Sequence, residues 1–400
     1  MTWHGTSVAD AASSSAVLGS GVEPQAELYD VLARHRFTEL DGLRGIASLM
    51  VGINHVFGIP AVSVAATGTS LMIASLSGVI NGSLAVDLFF IMSGFFLAGM
   101  LENFKRRAVL VFYIRRLVRL VPPAIVSVIC LYIFVEIAIA GKPGNLLDGP
   151  ELVQFRADNI AVPFNILLLN LPLIRHTLNP PLWTIRLEIF TSLLFPAVLF
   201  LRTRLRNAWQ SFALFIAFLV IAALLSRHQK MGLDVFHYLY VFYAGVLARD
   251  FGPHVAAMTR RQQYRLFSFA VLALILTGEF VPLFQHPISF DLPVTVFGTI
   301  LVVLLAYGDI PAVRGVMNSP AVQFFGRISY SFYLMSWLTI MGLGGLILRT
   351  DAITRHGVTA ILLAALPCCT IAGIGLAYML HVAVEQPSVA LSRYLGMKLK

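Results

Sequence analysis

Charge is what this 400-residue sequence has least of. Asp, Glu, Lys and Arg together make up 12% of it, where soluble domains carry about a quarter. Cysteine is scarce: Cys130 and the adjacent Cys368 and Cys369 all fall in apolar runs. An odd number in such surroundings excludes a disulfide framework. The sequence shows no metal-ligand spacing, phosphate-binding glycine loop, dinucleotide fingerprint, serine elbow or internal repeat. What fills the chain is apolar, 58% hydrophobic residues, more than a soluble chain of this length can hide from water. Disordered, fibrous and nucleic-acid-binding classes are excluded as primary readings. An all-α polytopic membrane protein remains.

A spanning helix needs roughly 20 mostly apolar residues. Runs near 43–63, 79–101, 120–140, 183–201, 208–226, 235–249, 266–285, 292–309, 327–348 and 358–384 predict about ten spans. A further run, about 160–174, is read as re-entrant or interfacial, because counting it as a span would put Arg202, Arg204 and Arg206 outside. With both termini cytoplasmic, most of the 29 Lys and Arg residues fall inside. That sorting explains most of the formal charge of +9, and the remainder suits an anionic ligand. Residues 1–36 read as a flexible polar cytoplasmic tail, 37–390 as the membrane domain, and 391–400 as a short basic tail.

Ionisable groups inside spans are costly and are functional candidates by default. Leu40-Asp41-Gly42-Leu43-Arg44-Gly45 opens the first span, and His55 follows. Eleven residues bring Arg44 and His55 to one helix face, about 16 Å apart in height. Arg44 then lies at the cytoplasmic mouth and His55 deep, as an anionic donor entering from the cytoplasm requires. The competing reading is a snorkelling Arg and a His satisfied by a neighbouring helix. In Asp87-Leu88-Phe89-Phe90-Ile91-Met92-Ser93-Gly94-Phe95 the small residues Ser93 and Gly94 allow close helix approach, and Asp87 reads as packing or capping. Arg116 and Arg119, with Arg115, stand just before a span. Guanidinium forks match phosphate oxygens, although lipid anchoring explains them as well. Glu188 lies inside its span two residues after Arg186, on a different face, so it needs another partner, for which a deep histidine is the natural choice. Glu136, Glu279 and His381, near span ends, are assigned no role.

The order of these motifs resembles the acyltransferase type 3 family of bacterial membrane O-acyltransferases. Further matching stretches are Arg-Arg-Leu-Val-Arg-Leu-Val-Pro at 115–122, Pro-Leu-Trp-Thr-Ile-Arg-Leu-Glu at 181–188, Gly-Arg-Ile-Ser-Tyr-Ser-Phe-Tyr-Leu at 326–334 and Val-Glu-Gln-Pro at 384–387. The resemblance implies a ten-helix domain in the bacterial cytoplasmic membrane. It implies transfer of an acyl group, usually acetyl from acetyl-CoA as co-substrate, to a hydroxyl of a carbohydrate or lipid-linked glycan acceptor, or of a small metabolite such as a macrolide. The family's functional residues fall on Arg44, His55, Arg116, Arg119, Trp183 and Glu188, with Asp41, Ser93 and Tyr330 in support. Where many members carry a second histidine, Ser336 stands here. The expected mechanism has Arg116 and Arg119 holding the donor phosphates and His55, oriented by Glu188, acting as general base. Arg44 or a backbone N–H would stabilise the oxyanion. A transporter or flippase for an anionic lipid or glycan is the alternative class, and its paired, interrupted spans are not seen.

Overall fold

The computed structural model describes residues 37–57, 80–100, 106–141, 164–173, 175–176, 178–225, 234–279, 287–344 and 358–399. The expected tail over 1–36 lies outside the described residues. Among the described residues there are helices and no strands. In chain order they are α1 Thr38–Phe57, α2 Gly82–Met100, α3 Arg106–Gly141, α4 Phe164–Asn170, α5 Leu182–Thr203, α6 Ala208–Leu225 and α7 Asp234–Ala256. Then come α8 Arg260–Glu279, α9 Pro287–Tyr307, α10 Pro311–Met317, α11 Pro320–Thr339, α12 Val358–Leu380 and α13 Gln386–Lys398. Two π-helical turns, Ile340–Gly344 and His381–Glu385, extend α11 and join α12 to α13.

Among the described residues, five helical stretches are long and apolar enough to cross a bilayer: Gly82–Met100, Ala108–Ile137, Leu182–Thr203, Ile288–Tyr307 and Ala364–Lys398. In the described part of the run near 160–174 the helix is α4, seven residues with about 10 Å of rise, against a hydrocarbon core about 30 Å thick. Large apolar side chains such as Ile137, Phe200, Leu224, Ile371 and Met379 are exposed along the outer faces, as lipid contact demands and water would punish. The protein is a multi-pass membrane protein.

Glycine sets two close helix contacts. On α1, a Cβ on Gly42 would strike the Met317 carbonyl oxygen and one on Gly45 the Gly326 nitrogen, while one on Gly326 would strike the Asp41 carbonyl oxygen. On α2, Gly94 meets the Phe242 carbonyl of α7, and Gly245 of α7 meets the Ile91 carbonyl in return. Small residues permit backbone approach where lipid supplies no hydrophobic drive for association. The expectation for Gly94 holds. Aromatic rings fill the space between, with Phe90 stacked on Phe242 at 4.7 Å and Phe37 edge-on to Phe95 at 5.0 Å.

The connection before α5 is anchored by buried amides. Asn170 donates to the Ile166 carbonyl and accepts from the Leu178 N–H. Asn179 donates to Ser127 Oγ of α3 and to the Leu334 carbonyl of α11. These bonds fix where α5 begins and therefore how deep Glu188 sits.

Candidate active site

Each wall of the central cavity is positioned by one of these contacts. With the glycines of α1 turned to α10 and α11, Asp41 and Arg44, three residues apart and so neighbours on the helix surface, face the interior. With Gly94 pressed on α7, the adjoining Ser93 faces α3 and α5. Pro122 and Pro123 interrupt α3, removing two backbone donors from its ladder. In that stretch Tyr330 of α11 donates its hydroxyl proton to the Leu120 carbonyl at 2.6 Å. At the start of α5, Tyr333 Oη donates to the Pro181 carbonyl at 2.8 Å and lies 2.7 Å from Thr184 Oγ1.

The cavity so enclosed has a volume of about 630 Å³, within the usual range for a small-molecule site. Along α2 its lining runs from Val86 to Met100, about 20 Å at the helical rise. Arg44, Arg119, Arg249 and Arg393 line it together with Asp41, and Arg249 lies against Gly99 at the end of α2. The end near Val86 carries Phe89, Phe90, Thr184, Ile185 and Tyr333. Between them, Arg116 of α3 and Glu188 of α5 form a buried ion pair. Ser93 donates to Glu188 Oε1 at 2.7 Å and accepts from Arg116 Nη2 at 2.8 Å, and Arg116 Nε donates to Ser192 Oγ at 3.1 Å. Arg116 and Glu188 cancel. Four guanidinium groups then line the cavity with one carboxylate, Asp41, a cationic surplus.

The expected pairing of Glu188 with His55 is not what the structure holds. Glu188 turns to Arg116, whose Nη2 donates to its Oε1, and Ser93 Oγ donates to the same oxygen. His55 packs edge-to-face on Trp337 with ring centroids 5.5 Å apart, and its Nδ1 is buried without a hydrogen-bond partner among the described residues. It does not line the cavity. It sits one helical turn beyond it, because Trp337 follows Tyr333 by four residues on α11, about 6 Å of rise.

Arg115 also departs from expectation. Its side chain lies against Gly396 and its carbonyl accepts from Ser392 Oγ at 3.0 Å, so it faces α13 and not the cavity. Trp183 packs on Phe90 and Tyr238 with centroids 6.3 and 5.7 Å away and supports the wall without lining it. Ser336 is buried, donates to the Tyr333 carbonyl at 3.0 Å, and sits across from Gly52. Asp41, Ser93, Arg44, Arg116, Arg119, Glu188 and Tyr330 do share one cavity. Arg249 and Arg393 were not foreseen there. In the sequence they look like any arginine closing a span.

Among the described residues no group of three or more His, Cys, Asp and Glu side chains could hold a metal ion. A family model described as an acyltransferase domain matches residues 37–380. No curated protein matches the chain, and no solved structure does.

Proposed function

This chain belongs to the acyltransferase 3 family, and on that premise we propose that it transfers an acyl group, acetyl first, from acyl-CoA to a hydroxyl of a carbohydrate or lipid-linked glycan. It does so in a bacterial inner membrane, with ten spans and both termini cytoplasmic. The observation that carries the reading is the long cavity lined by four arginines besides the Arg116–Glu188 pair and by aromatic rings. Coenzyme A has that shape and charge: an anionic nucleotide head on a long, thin arm ending in a thioester.

Arg44, Arg119, Arg249 and Arg393 take the head. The Arg116–Glu188 pair keeps the middle of the passage neutral, so that a chain with no charge can lie across it. Past Tyr333 the thioester reaches Trp337 and His55. There the imidazole accepts the acceptor hydroxyl's proton while the oxygen bonds to the thioester carbon. The C–S bond then breaks, and CoA leaves as a thiolate that recovers the proton from His55. A buried, unpartnered imidazole nitrogen is what such a base offers before the acceptor arrives. Arg44 lies about 16 Å away along α1, too far to touch that carbonyl, so a backbone N–H is the better oxyanion donor.

Purified protein supplied with acetyl-CoA and a glycan acceptor releases free CoA stoichiometrically with acetylated product. His55→Ala lowers that rate about 10²–10⁴-fold, the usual worth of a general base, with expression and donor binding unchanged. Retention of more than a tenth of the rate removes His55 from the chemistry. Substrate movement across the membrane without CoA release makes the protein a transporter.

A further inference from the structure

A second cavity, about 420 Å³, adjoins the first. Asp41, Arg44, Arg119, Ser329, Val389 and Arg393 line both. The second adds Arg327 from the second turn of α11, and His381 and Glu385 from the π-helical turn between α12 and α13. Single π turns recur at functional sites, and this one places its two ionisable groups in contact. His381 Nδ1 lies 2.8 Å from Glu385 Oε2, which also accepts from Ser331 Oγ at 2.7 Å. The carboxylate is buried at 6% exposure and occupied by these two donors. It orients the imidazole, and Nε2 is left as the ring's polar atom for the compartment. Such carboxylate-held rings keep a defined tautomer and orientation.

Charge decides what fits. Arg44, Arg119, Arg327, Arg393 and His381 line this compartment against Asp41 and Glu385, and Glu385 is already taken. Arg44, Arg119 and Arg393 are shared with the main passage, and the compartment adds to them the Arg327 guanidinium and the His381 ring, facing a carboxylate that is already satisfied. We propose that the side compartment binds the phosphomonoester on the donor's ribose, while the main passage takes the diphosphate and the arm. This rests on the acyl-CoA reading above, and it adds a specificity: the enzyme distinguishes donors by a phosphate far from the reacting carbon. Anionic lipid headgroups present the same phosphate chemistry, so the test separates the two sources.

Equilibrium binding of CoA and of 3′-dephospho-CoA is measured on the full chain in phosphatidylcholine nanodiscs, and again with phosphatidylglycerol added. The wild type binds CoA about tenfold more tightly than the dephospho form, the scale of a lost charge-assisted contact. Arg327→Gln and His381→Gln each weaken CoA severalfold and leave 3′-dephospho-CoA within twofold, which also shows that both variants are folded. Equal binding of the two ligands by the wild type overturns the proposal while leaving the acyl-CoA reading in place. If neither ligand binds, the acyl-CoA reading fails and takes this one with it. Losses that appear only with phosphatidylglycerol, and equally for both ligands, assign the compartment to lipid and overturn it too.

Discussion

Compare two carboxylate–cation clusters inside the helical body, one bordering the central cavity and the other away from both cavities. Arg116 and Glu188 join α3 to α5 on the wall of the central passage, with Ser93 and Ser192 completing the guanidinium's contacts. His237 and Asp291 join α7 to α9 at 3.2 Å, with Asp87 of α2 close enough to interact with Asp291, and none of the three lines either cavity. Asp87 is 2% exposed, and its Oδ2 has no hydrogen-bond partner among the described residues. Both clusters place charge where charge is costly. Burial of an ionisable group therefore flags both equally, and adjacency to open space tells them apart.

The largest effect should come from breaking the pair on the passage. Arg116→Met strands the Glu188 carboxylate in the interior, and removing one member of a buried pair typically costs about 3–5 kcal/mol. Thermal unfolding in detergent should show a heavily destabilised protein. Adding Glu188→Met to it should restore most of the stability, because an apolar replacement of both members is near neutral. Transfer should remain lost in the double variant if the pair also shapes the passage for the donor arm. Recovery of activity along with stability would make the pair purely structural, and the contrast with the second cluster would vanish.

A smaller effect is expected at the cluster away from the cavities. Asp291→Asn keeps the shape and removes the charge facing His237, for about 1–3 kcal/mol of stability. The donor KM should stay within twofold of the wild type. A tenfold rise in KM would show that the His237–Asp291 region communicates with the passage, and cavity adjacency would then be the wrong criterion.

Composition and apolar run lengths made the helical membrane class legible, since about 20 apolar residues have few other uses in one segment. The pattern around Arg44 was legible too, because helical spacing fixes which residues share a face. What sequence could not supply was the choice of partner across helices. On the sequence alone, Glu188 had a deep histidine, His55, as its partner. Only the placement of α5, set by Asn170 and Asn179 in the preceding connection, brings it to Arg116. Arg249 and Arg393 were hidden for a related reason. An arginine at the end of a span satisfies the rule for topology whether it meets lipid phosphate or a ligand, and only the fold says which.

The smallest effect belongs to the residue that sequence and structure treat most differently. Arg115, Arg116 and Arg119 read as one basic cluster, yet successive residues on a helix are about 100° apart, and α3 packs against different neighbours on each side. Arg116 meets Glu188, Arg119 lines both cavities, and Arg115 lies against Gly396 of α13. Arg115→Gln should therefore leave the donor KM within twofold, whereas Arg119→Gln should raise it about tenfold, as the loss of a charge-assisted phosphate contact does. Steady-state kinetics on the two variants side by side checks the difference. Equal increases would mean that Arg115 leaves α13 when donor binds, and that the terminal helix moves with it.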